Sequence, residues 1–162
     1  MTHPYQELIE RIRGEVPELE RVMNRALRAW PQAQKTFPEQ EVYMDSVALN
    51  LHSFYAGVER LFELIARHMD RGLPGGETWH RELLKQMARD LEGVRPAVID
   101  EETFLRLDDF RRFRHLVQNI YAINLMPDKM RGLMEALPAL WSTLKAELMA
   151  FADFLEDLSN TD

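Results

Sequence analysis

Apolar residues recur at steps of three and four along most of this chain, and no segment alternates in twos, which restricts the fold to packed amphipathic helices. Tyr5, Leu8, Ile9, Ile12, Val16, Leu19, Met23, Leu27 and Trp30 form a first stripe. Gly14 and Pro17 lie inside it and predict a kink, or two shorter helices, near Glu15. Val47, Leu51, Phe54, Tyr55, Val58, Leu61, Phe62, Ile65 and Met69 form a second stripe, which the run GLPGG stops. Thr78 is placed to cap a third helix carrying Trp79, Leu83, Leu84, Met87 and Leu91, with Pro96 ending that segment.

The stretch from Asp100 to Leu125 predicts a fourth helix with Phe104, Leu107, Phe110, Phe113, Val117 and Ile120 inward. Pro127 suits the first turn of a fifth, whose seam runs from Leu133 to Leu158 and which Pro138 is expected to bend early. The expected fold is all-α, an antiparallel up-and-down bundle of four to five helices, with residues 1–162 as one domain.

Composition narrows the function classes. With no cysteine, disulfides, thiolate zinc sites and thiol catalysis are excluded. No window is apolar enough for a membrane span, and acidic residues stand near the amino terminus where a signal peptide has its apolar core, so a cytoplasmic protein with no membrane partner is expected. A net charge of −7 argues against a protein that coats nucleic acid non-specifically, yet leaves room for a local basic site. GLPGG lacks the Lys and Ser or Thr of a P-loop, and no dinucleotide fingerprint or nucleophile elbow appears, so no cofactor is expected. His52, Glu59, Glu63 and His80 raise a metal site, but without the repeated Glu-x-x-His pair of di-iron bundles none is expected.

The fourth helix concentrates polar chemistry in FRRFRHLVQNIY, Phe110 to Tyr121. At about 100° per residue, Arg114 borders the apolar stripe, while Asp108, Arg112, His115 and Asn119 share another face. An arginine at such an edge either snorkels to water or pairs with a glutamate. Arg106, Arg111, Arg112 and Arg114 make a local basic cluster, interrupted by Asp108 and Asp109.

Arg114, His115, Asn119 and Tyr121 read R-H-x-x-x-N-x-Y, which resembles the R-polar-x-x-x-H-x-Y signature of the HEPN superfamily, specifically its HepT-like ribonuclease toxins. Three blocks, from Leu51 to Met87, Asp108 to Met130 and Leu140 to Leu158, are similar in order to one HepT-like group. The resemblance implies a homodimer with two motif copies in a shared cleft, and metal-independent cleavage of an RNA substrate. Arg114 would contact the scissile phosphate, and the local basic cluster supplies Arg111 and Arg112 beside it as candidate nucleic-acid-binding cations. It also implies a minimal nucleotidyltransferase antitoxin that adenylylates the motif tyrosine, Tyr121. A bulky anion beside Arg114 is a physically sensible off-switch.

The pattern is broken where its histidine should stand, because Asn119 is there. An amide hydrogen-bonds a phosphate but is no acid or base near neutrality, and such a group contributes on the order of 10² to 10⁴ in rate. His115, about 40° round the helix from Asn119, is the candidate substitute. Arg114 and Asn119 diverge by about 140°, so their convergence would need local distortion, long side chains or a partner subunit. Two readings stay open: a ribonuclease toxin subunit, or a non-catalytic dimer that binds RNA, a nucleotide or a nucleotidyltransferase.

Overall fold

The computed structural model describes residues 4–119 and 127–161, without the side chains of Gln118 and Asn119. Among them run α1 (Gln6–Ala33), α2 (Gln40–Met69), α3 (Trp79–Met87), α4 (Glu101–Asn119) and α5 (Pro127–Asn160), with no strand. The expected all-α bundle is present.

Helices α1, α2, α4 and α5 pack in a closed ring, each against the next, and α3 lies across α2 and α4. The apolar stripes meet inside: Phe54 on α2 packs against Phe110 of α4 and edge-on against Trp141 of α5. The short connection after Ala33 folds α2 back along α1, where Gly57 faces Leu19. A Cβ at Gly57 would stand 2.7 Å from Leu19 Cδ2, so any larger residue there would force the buried Leu19 side chain to shift. At the far side, Arg13 of α1 reaches Asp153 and Glu156 of α5, while Glu20 accepts from Trp141 and Lys145, fixing those two helices antiparallel.

Two expected boundaries move. Helix α1 is continuous through Gly14, Pro17 and Pro31, since its buried face from Leu8 to Ala33 holds the segment together across the lost hydrogen bonds. Helix α3 stops at Met87, short of Leu91. Its end is taken over by Arg95, whose guanidinium donates to the carbonyls of Gln86, Arg89 and Pro96, while Leu91 bridges back to Arg95 around Gly93 at φ 78. Thr78 occupies the α3 N-cap position but makes no side-chain capping bond there.

Helix α4 is aimed by its start. Asp100 accepts from the Thr103 backbone N–H at 2.8 Å as an N-cap, and Glu147 of α5 accepts from both the Asp100 N–H and the buried Thr103 hydroxyl. The Thr103 N–H holds the Asp100 carboxyl below its ordinary range, whereas burial pushes Glu147 up against the opposing effect of its own hydrogen bonds. Anchored to α5 in this way, α4 presents its last turns to α2 and α3.

Candidate functional site

The site forms where α4 crosses α2 and the first turn of α3. Arg114 leaves the core edge of α4 and its Nη1 donates to Glu59 Oε1 at 2.9 Å. Glu59 belongs to the apolar seam of α2 and is only 5% exposed, while Arg114 is 18% exposed. Carboxylates at such depth are rare unless paired. The second oxygen, Oε2, meets His80 Nδ1 of α3 at 2.9 Å. Glu59 is thus shared by a guanidinium from α4 and an imidazole from α3.

Around this carboxylate opens a groove of about 280 Å³ lined by Thr78, His80, Arg81, Arg111, Arg114 and His115, with Glu77 at its side. The only carboxylate in that lining is Glu77, against three guanidiniums and two imidazoles, so the groove suits an anion. Helix α3 brings its first turn, the positive end of its dipole, and the Thr78 side chain makes no capping bond to the backbone N–H groups there. Arg111 is oriented by Asp108, which accepts from its Nε at 2.7 Å. The Arg114 Nε is buried and has no acceptor among the described residues.

Two further α2 side chains stand within the field of these charges. Burial, then the charge of Glu59, pushes the Tyr55 phenol up, so it stays protonated. His52, on the same helix, is held below its ordinary value by burial and then by the Arg114 charge. Glu59 is the carboxylate that pairs with Arg114, at a depth where little water screens the two charges.

The structure therefore brings Arg111, Arg114 and His115 together at one groove. Arg112 does not join them: it is 63% exposed and pairs with Asp108 and Asp109. The Asn119 side chain and all of Tyr121 lie outside the described residues. His80, Arg81 and Thr78 are groove residues that sequence reasoning missed as such. Glu59 and His80, weighed there as metal donors, do meet, but a guanidinium occupies the other oxygen of the carboxylate. The missed signal is a glutamate in the middle of an apolar seam, which obliges some other element to supply its counter-charge.

A protein-family model described as HepT-like protein matches residues 46–155. This chain belongs to the HepT-like family. The match spans most of α2, all of α3 and α4 and most of α5, and so contains every groove residue of the HepT-like protein. No curated protein and no solved structure matches the chain. Among the described residues, no helix of this HepT-like protein is long and apolar enough to cross a membrane.

Proposed function

We propose that this HepT-like protein is the toxin-type member of a nucleotidyltransferase-linked pair and a metal-independent endoribonuclease. The observation that carries the reading is a guanidinium, Arg114, fixed by a buried carboxylate at the edge of a groove that also holds two imidazoles. Guanidinium groups bind phosphate bidentately and stay charged, and imidazoles exchange protons near neutral pH.

RNA then lies with its scissile phosphate against Arg114 and Arg111. The ribose 2′-oxygen attacks phosphorus while its proton passes to a base, and the bond to the 5′-oxygen breaks as that oxygen takes a proton from an acid. His115 is one of the two proton carriers. Tyr121 is the proposed acceptor for an adenylyl group, whose charge would compete for Arg114. Dimerisation fits the surface of α4, where Leu105 and Leu116 are exposed and point within about 20° of each other. A single species of monomer mass in light scattering would remove the dimer from the proposal.

The second reading, a non-catalytic binder, is favoured by Asn119 and by the charge of Arg114 already compensated by Glu59. The deciding test is incubation of a labelled single-stranded RNA with purified protein in EDTA. The ribonuclease reading expects cleavage, and loss of both cleavage and RNA binding in Arg114→Ala with the helical fold intact. RNA bound but left whole by wild type, with cleavage appearing in Asn119→His, establishes the binder instead.

A further inference from the structure

If the ribonuclease reading holds, one proton carrier is still missing from the family pattern, since Asn119 has no usable acid or base. We infer that His80, oriented by Glu59, is the general base of this site, with His115 as the acid. His80 reaches the groove from α3, outside the R-H-x-x-x-N-x-Y motif altogether.

Three features single out His80. Its Nδ1 lies 2.9 Å from Glu59 Oε2, and an ionised carboxylate only accepts hydrogen bonds. With Glu59 ionised, a neutral His80 carries its proton on Nδ1, which leaves Nε2 as the nitrogen available to act as a base. This is the orienting logic of a nucleophile-activating histidine, in which a buried carboxylate fixes the tautomer and steadies the imidazolium that forms.

The ring is also held in place. It lies against the Trp79 indole, with centroids 3.6 Å apart and planes 31° apart, and is half-buried rather than free on the surface. Finally, His80 shares Glu59 with Arg114, so one carboxylate fixes the positions of both the phosphate-binding cation and the base. A base tied to the phosphate cation through one rigid group keeps the reacting atoms in register, which is where much of the rate of such a reaction originates.

In the step so assigned, His80 Nε2 takes the proton of the 2′-hydroxyl as the new P–O bond forms, and His115 gives a proton to the departing 5′-oxygen. The products are a 2′,3′-cyclic phosphate and a 5′-hydroxyl, with the proton count of the pair of histidines unchanged. Glu59 is a positioning residue and touches no substrate.

The test uses the full chain, a single-stranded RNA of mixed sequence for cleavage, and its 2′-O-methyl version, which cannot be attacked through the 2′-oxygen, for binding. His80→Ala is expected to cleave about 10² to 10⁴ times more slowly, with binding of the methylated RNA within about twofold of wild type. Added imidazole should restore part of the rate by entering the vacated space. His80→Gln, which keeps an amide N–H for Glu59, should show the same loss without rescue, so misfolding of one variant does not hide the answer. Wild-type cleavage rates in both variants overturn the assignment while leaving the ribonuclease reading standing. Loss of binding together with loss of rate, without imidazole rescue, also overturns it and makes His80 a structural residue. A wild-type protein inert on RNA overturns the assignment and the ribonuclease reading together.

Discussion

Among the described residues, two arginines face buried carboxylates, and they are treated in opposite ways. Arg95 is fully enclosed, with 0% exposure against 2% for Asp70. Its Nε and Nη2 take both Asp70 oxygens, at 2.7 and 2.8 Å, and its remaining donors hold the carbonyls of Gln86, Arg89 and Pro96. Arg114 makes one bond to Glu59, leaves Nε without an acceptor among the described residues, and borders a groove. The first guanidinium is saturated and serves as a clasp for the turn after α3. The second leaves its buried Nε unpartnered among the described residues and lines an open groove. An arginine is informative about function through the donors that the fold leaves unused, more than through its burial.

The largest effect should come from breaking the saturated pair. Asp70→Ala strands the enclosed Arg95 charge and should lower unfolding free energy by about 3–5 kcal/mol, read from urea denaturation. A loss under about 1 kcal/mol would mean that the carbonyl bonds alone satisfy Arg95, and the contrast would weaken.

Glu59→Ala should be milder, about 1–2 kcal/mol by the same measurement, because Arg114 can turn toward the groove and its water. A loss as large as that of Asp70→Ala would show that Arg114 is a clasp too, and would count against its role as a ligand-binding group.

The smallest effect concerns His52, which lies within the field of Arg114. Its folded-state value is depressed, so as pH falls the unfolded chain takes the proton first. The contribution is intact above the ordinary value of 6.5 and is lost as pH drops below it toward the folded value. His52→Gln should flatten the fall in urea midpoint between about pH 7 and 5 relative to wild type. An unchanged slope would show that burial and the Arg114 charge together do not depress His52.

Much of this was legible in the chain. The stripes on α1, α2 and α5 name their own buried faces, and Pro127 stands at the first position of α5. The end of α3 was not legible, because the residue that terminates it, Arg95, acts through side-chain bonds to carbonyls several residues back. Similarly, Arg114 was legible as a core-edge cation, yet its partner was one of several glutamates until the packing of α2 against α4 selected Glu59.

The sequence by itself determined that this is a helical HepT-like chain with an arginine at the rim of its core, since periodicity and residue order are local properties that survive without coordinates. Only the tertiary structure decided that His80, from a separate helix, shares a carboxylate with that arginine, and that Arg112 stays outside the groove. The reason is physical: a buried charge must find its partners in space, and which side chains those are depends on how the helices cross.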